Sequence, residues 1–192
     1  MQLPRYDRVM APVGCAHGAV ILATALATLI GCARRQPDDT HTVPVAGTGM
    51  CIDIPTSLTA ETKADDHGYV DVLVGEVGRD ICVAGVEVYL AAAPNRPRDL
   101  ASLRQSLERD HEARYKLTAG PEILQREGRA TVTATLESTE GGLRQRQWAF
   151  LLGPDPVVIS VYSTRAMSDC DPLEATILSS IRRGLCTDSR SR

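Results

Sequence analysis

GRATVTATLESTEGGLRQRQWAFLLGPDPVVISVY, residues 128–162, decides the fold. In its first part, RATVTATLE (129–137), Ala130, Val132, Ala134 and Leu136 share one parity and Thr131, Thr133 and Thr135 the other. Side chains on a strand alternate with a period of two, so this is a strand with one apolar and one hydroxylated face. Ser138 to Gly142 make a turn, and LRQRQWAFLL (143–152) is the second strand. Arg144 and Arg146 have the same parity as Trp148, Phe150 and Leu152, which places only the later half of that strand in a core. Gly153-Pro154-Asp155-Pro156 turns the chain again into VVISVYST, 157–164. Three strands joined by short turns form an antiparallel meander, because a parallel crossover needs a dozen or more residues.

Upstream, YVDVLVGEV (69–77) and ICVAGVEVYLA (81–91) are rich in β-branched residues and flank Gly78-Arg79-Asp80, so they form a hairpin. MCIDIP, 50–55, is a short strand closed by Pro55. After the break at Pro94 to Pro97, Asp99 offers a helix N-cap, and Leu100, Leu103, Leu107, His111 and Tyr115 recur every three or four residues. That spacing predicts an amphipathic helix over 98–116. Asp171-Pro172-Leu173-Glu174 has the arrangement of a capping box with proline at the first helical position, and predicts a closing helix over 172–183 with Gly184 beyond its end. The segregated order of strands and helices specifies an α+β fold with an antiparallel β-sheet flanked by helices.

The N-terminal segment has a different character. Arg5 and Arg8 precede an apolar run from Ala19 to Ile30, the order of a secretory signal, and the run is too short to cross a bilayer, which takes roughly 20 residues. Leu29-Ile30-Gly31-Cys32 resembles a bacterial lipobox. The resemblance implies a diacylglyceryl group on the Cys32 thiol, palmitate among its acyl chains, and a cut before it. Residues 1–31 are then the signal, 32–48 the lipidated cysteine and a polar tether, and 49–192 a single domain. Cys15 precedes the apolar run instead of ending it and is rejected. Two or three acyl chains, each at about 0.8 kcal/mol per buried methylene, would moor the chain to a membrane from the extracytoplasmic side. Ala33 in place of aspartate implies, for a two-membrane envelope, the outer membrane facing the periplasm; with one membrane, the anchor is its outer face.

The formal charge is −3, moving to about −4 once Arg5, Asp7 and Arg8 leave with the signal, so composition gives no basic surface for nucleic acid. Of six cysteines, Cys51, Cys82, Cys170 and Cys186 remain beside the signal's Cys15 and the lipid site Cys32. An even set in an oxidising compartment predicts two disulfides. A helix over 172–183 is about 18 Å long at ~1.5 Å per residue, and a disulfide needs Cα atoms within ~7 Å. Cys170 and Cys186 are therefore not partners, and each returns to Cys51 or Cys82. No close pair such as CxxC supports a zinc site.

No nucleophile elbow, P-loop, HExxH or dinucleotide fingerprint occurs, so no catalytic residue, cofactor or metal is assigned. Asp65, Asp66 and His67 in ADDHG, and Asp169 and Asp171 around Cys170, read as a solvated turn and a helix cap rather than as metal ligands. His111 falls on the leucine face of its helix, and Glu108 and Glu112 have Arg104, Arg109 and Arg114 beside them for ion pairs. Arg126, Arg129, Arg144 and Arg146 could form a positive stripe for an acidic partner or an anionic headgroup.

With its CIDIP strand, central amphipathic helix, meander and closing helix in ILSSIRR, the chain over about 49–184 resembles the PsbP-like domains. It departs from their common form in having PTSLTA where a tryptophan often follows the first strand, and in its four domain cysteines. The resemblance implies a PsbP-like sandwich. It also implies a non-catalytic lipoprotein that binds another protein, as accessory proteins of membrane complexes and immunity proteins do; the alternative is an envelope lipoprotein that carries a small ligand or ion. Apolar patches flanking the sheet would favour the first, and a closed pocket between the central helix and the sheet the second.

Overall fold

A computed structural model describes residues 39–64, 68–76, 79–109, 115–139 and 142–186. The strands are β1 (Thr40–Val45), β2 (Met50–Pro55), β3 (Ala60–Ala64), β4 (Tyr69–Val74), β5 (Cys82–Tyr89), β6 (Tyr115–Arg126), β7 (Arg129–Ser138), β8 (Arg144–Leu152), β9 (Asp155–Ser163) and β10 (Arg182–Arg183). The helices are α1 (Leu100–Arg109) and α2 (Asp171–Ser180), the latter entered through a 3-10 turn at Met167–Cys170. Among the described residues, seven strands form one antiparallel sheet in the order β3-β4-β5-β9-β8-β7-β6, and β1-β2-β10 form a smaller one.

The meander is β7-β8-β9, with Thr133 opposite Trp148 and Trp148 opposite Ile159. Its two faces go to different partners. Trp148, Phe150, Val157, Ile159 and Val161 face β2 and α2, where Met50, Ile52, Ile54, Leu173 and Ile177 complete the main core. Val132, Ala134, Leu136 and Ala149 lie on the other face under Leu103 and Leu107 of α1. The large sheet is thus covered by α2 and the small sheet on one side, and by α1 on the other.

Three boundaries differ from expectation, and β3 and most of β6 form in stretches where the sequence predicts no element. The polar tether over 32–48 gives way to β1, whose Val43 lies opposite Ile52 of β2, so a strand extends the fold N-terminal of residue 49. β3 forms from AETKA, a polar stretch that suits the sheet's outer edge. The central helix is described over Leu100–Arg109, and Tyr115, expected on its apolar face, begins β6 instead. β6 carries Gly120-Pro121 in its interior, where a proline removes a ladder hydrogen bond. The strand tolerates it because β6 is an edge and its register shifts between Leu117, Ala119 and Glu122. Finally, α2 stops at Ser180, and Arg182 and Arg183 pair with Cys51 and Met50.

Gly120 has φ +82, and a Cβ there would lie 2.5 Å from the Thr133 carbonyl oxygen. Both the backbone region and the missing space call for glycine. Gly120→Ala is therefore expected to destabilise the domain by more than ~1 kcal/mol, read as a shifted urea midpoint; an unchanged midpoint would show that β6 can reseat at the bulge.

Asp99 caps α1 as expected, accepting a 2.7 Å hydrogen bond from the Ser102 amide. That bond first, then the Ser102 hydroxyl, holds its carboxyl below the usual range. Asp171 does not cap α2. The 3-10 turn already leads into the helix, Cys170 occupies the cap position without a side-chain bond, and Asp171 turns to Arg146.

Candidate functional site: the open half of the sheet

The predicted site residues divide into three groups. Cys51 pairs with Cys186 and Cys82 with Cys170, both at a Cα separation of 5.5 Å, so each C-terminal cysteine returns to an early strand. Cys32, with Cys15, lies outside the described residues, as do Asp65, Asp66, His67 and His111.

The four arginines form the third group, and the structure places three of them beneath or beside α2. Arg146 Nη1 donates to Glu174 Oε2 at 2.9 Å and to Asp171 Oδ1 at 3.0 Å. Burial alone would lower its pKa, but the Glu174 charge and the bonds to both carboxylates outweigh that and raise it. Arg126 lies over the Trp148 ring at 5.1 Å and 3.8 Å from Glu174, and Arg129 over Phe150 at 4.7 Å. Arg144 has Glu137 on the neighbouring strand at 3.7 Å. Arg146 and Arg126 tie α2 to the sheet, while Arg129 stacks on a ring and Arg144 pairs within the sheet, so the four do not present a continuous free stripe. Pairing with Asp171 and Glu174 was hidden because it depends on how α2 folds back across β8, and no local pattern encodes a contact 25 and 28 residues away.

What the meander leaves open is its other face. α1 covers the β7 and β8 half, meeting Ala149 and reaching Val158 of β9. Toward β5, β4 and β3, no described residue covers the sheet. Three contiguous depressions of about 270, 230 and 290 Å³ lie there, and all share Tyr162. The first is apolar, formed by Leu73, Ile81, Val83, Leu143 and Tyr162, with Ile81 44% exposed. The second lies between Leu107 of α1 and the sheet and is open to solvent, with Gln145, Gln147, Ser160 and Glu87 among its walls. The third runs over Gly85, where a Cβ would stand in ordinary van der Waals contact, 3.9 Å, with the Tyr162 ring.

Asp71 is directly opposite Lys63 on one side and Glu87 on the other. Tyr162 has its phenol pKa raised, by burial first and then by the negative charge of Tyr115, Glu87 and Asp71, while a hydrogen bond with Ser160 works against the rise. Among the described residues, no three His, Cys, Asp or Glu side chains come together as a metal site.

This architecture has a precedent among solved structures. Cyanobacterial PsbP (CyanoP) from Synechocystis superposes over 81% of this chain and 98% of its own length, with a TM-score of 0.55 and 12% identity. The fold is PsbP-like. A protein from Bacteroides thetaiotaomicron superposes with a TM-score of 0.44 and 8% identity, over 78% of this chain and 50% of its own. No protein-family model and no curated protein sequence matches the chain.

Proposed function

We propose that the chain is a membrane-anchored, extracytoplasmic lipoprotein whose PsbP-like domain is a non-catalytic protein-binding module, and that the open half of the sheet is its docking face. The observation that carries the reading is the uncovered sheet surface around Tyr162: broad, shallow and partly apolar, as protein contacts are, instead of a closed cavity. Among the described residues Asp71, Asp80 and Glu87 outnumber Lys63 along its depressions, which favours a partner with a basic patch. Two disulfides support an oxidising compartment. Among the described residues no helix is long and apolar enough to cross a membrane, and attachment in this reading comes through Cys32.

A photo-crosslinking residue at Ile81, on the open face, is expected to capture one stoichiometric protein from intact envelopes. The same residue at Ser179, exposed on α2, should not. Cys32→Ser should move the protein from the membrane fraction to the soluble one. Equal capture from both positions, or from neither, would remove the open face as the docking surface; persistence of Cys32→Ser in the membrane would remove the lipid anchor.

A further inference from the structure

The two disulfides differ in the access they give to another thiol. Cys82–Cys170 joins a partly buried residue of β5 to Cys170, which is fully buried. In Cys51–Cys186, the strand residue Cys51 is fully buried, whereas Cys186 is exposed and follows Leu185, itself 88% exposed. Exchange begins with attack of a thiolate on one sulfur, so access decides which bridge reacts. Of the four bridged cysteines, Cys186 alone is an exposed residue.

The surroundings of Cys51–Cys186 suit its opening. β10 does not rely on the bridge to stay on β2. Arg182 Nη1 and Nη2 donate to the two carboxylate oxygens of Asp53 at 3.1 and 3.2 Å, and Nη1 also donates to the Ser180 carbonyl at 2.9 Å. Arg183 Nε donates to the Leu152 carbonyl, and the Gly184 amide to the Gly49 carbonyl, both at 3.0 Å. A carbonyl oxygen also stands beside each sulfur: that of Gly184 is 3.5 Å from Cys51 Sγ, and that of Met50 is 3.4 Å from Cys186 Sγ. Neither sulfur carries a proton in the disulfide. After reduction each thiol finds an acceptor in place, so opening the bridge does not leave the buried Cys51 S–H unpaired. The two cysteines are 135 apart in sequence, and it is the pairing of β10 with β2 that keeps them adjacent for reclosure.

We propose that Cys51–Cys186 is a site of reversible thiol–disulfide exchange, entered at Cys186 by a dithiol reductant, while Cys82–Cys170 stays closed. The incoming thiolate bonds to Cys186 Sγ as the S–S bond breaks, and Cys51 leaves as a thiolate that takes up a proton. The reductant's second thiol, once deprotonated, attacks the mixed disulfide and releases Cys186 as a thiolate, which is protonated in turn. Two electrons and two protons pass to the cysteine pair, and the reductant becomes a disulfide. The product is a folded domain in which the residues beyond β10 are no longer tied covalently to β2. The site needs neither the lipid anchor nor the docking face.

The full chain in non-ionic detergent can be treated with dithiothreitol at neutral pH and quenched with acid at intervals. Unfolding in N-ethylmaleimide then marks the thiols, full reduction and iodoacetamide mark the cysteines still bridged, and peptide mass spectrometry assigns each label. Cys51 and Cys186 are expected to appear as thiols about tenfold sooner than Cys82 and Cys170, or more. Amide resonances should shift at 49–51 and 182–186 while those of β5 and α2 stay in place. With glutathione instead, the mixed disulfide should form on Cys186 and not on Cys51, and removal of the reductant in air should restore the same pairing. Quenched directly from growing cells, the chain should show Cys51 and Cys186 partly as thiols and Cys82 and Cys170 fully bridged. No preference between the bridges, a preference for Cys82–Cys170, glutathione on Cys51, failure to reclose, collapse of the amide spectrum on opening, or complete oxidation of both bridges in cells would overturn the site.

Discussion

Arg146→Ala is expected to destabilise the domain by about 3–5 kcal/mol, the range for removing one partner of a buried ion pair. Arg146 is the third residue of β8, where the strand passes from the polar end marked by Arg144 to the core residues Trp148 and Phe150. Its guanidinium is the near neighbour of Glu174, which is 3% exposed on the face of α2 that packs against the sheet. Without it, Glu174 keeps only Arg126 at 3.8 Å, whose side chain is 39% exposed and already stacked on Trp148. A distant, half-solvated cation cannot replace a 2.9 Å charge-assisted hydrogen bond. The double variant Arg146→Met/Glu174→Leu should recover most of the loss, because a well-packed apolar pair of similar volume often matches a buried ion pair. Urea unfolding of wild type, single and double variants decides this. A single-variant loss below about 1 kcal/mol, typical of solvent-exposed pairs, would mean that the ion pair adds little to the apolar stripe and the Cys82–Cys170 bridge in holding α2.

The same arginine shows how far the sequence could be read. Its parity with Trp148 and Phe150 reads as a strand that enters the core only in its later half, so Arg146 is expected in a positive stripe and not against Glu174, whereas Asp171-Pro172-Leu173-Glu174 correctly places a helix start. Neither signal contains the contact between them, which is set by how α2 folds back onto β8. Local pattern therefore gave the elements, while the 3-10 turn that frees Asp171 and Glu174 from capping belongs to tertiary structure. The missed strands have similar causes. β1 carries Pro44 and polar residues and is held by pairing with β2; β3 is a short polar edge; β6 bends around Gly120-Pro121 at the opposite edge. Each is specified by its neighbour's hydrogen bonds more than by its own alternation. The open face of the sheet was invisible for a related reason. Tyr89, Tyr115 and Tyr162 lie on three separate strands, and no spacing along the chain announces their convergence.

Replacing both Cys82 and Cys170 by alanine is the second large effect expected, about 2–5 kcal/mol, the usual range for a native bridge. The two residues are 88 apart in sequence, and the chain-entropy relation gives a loop of that size about 4–5 kcal/mol. The bridge also acts at a sensitive place. Cys82 begins β5 opposite Ser163 of β9, whereas fully buried Cys170 ends the 3-10 turn and passes directly into Asp171 of α2. It therefore fastens the same helix end that Arg146 holds by charge. If the covalent and ionic ties share that task, combining Cys82→Ala/Cys170→Ala with Arg146→Ala should depart from additivity by more than about 0.5 kcal/mol, the scatter expected of independent sites. Cys51–Cys186 instead ties the chain just beyond the two-residue strand β10 to β2, so its loss should leave α2 seated and show no such coupling to Arg146. Equilibrium unfolding under oxidising conditions measures all of these. Strict additivity of the Cys82–Cys170 and Arg146 variants would separate the two ties, and a bridge worth less than about 1 kcal/mol would mean that the unfolded chain already keeps these segments together.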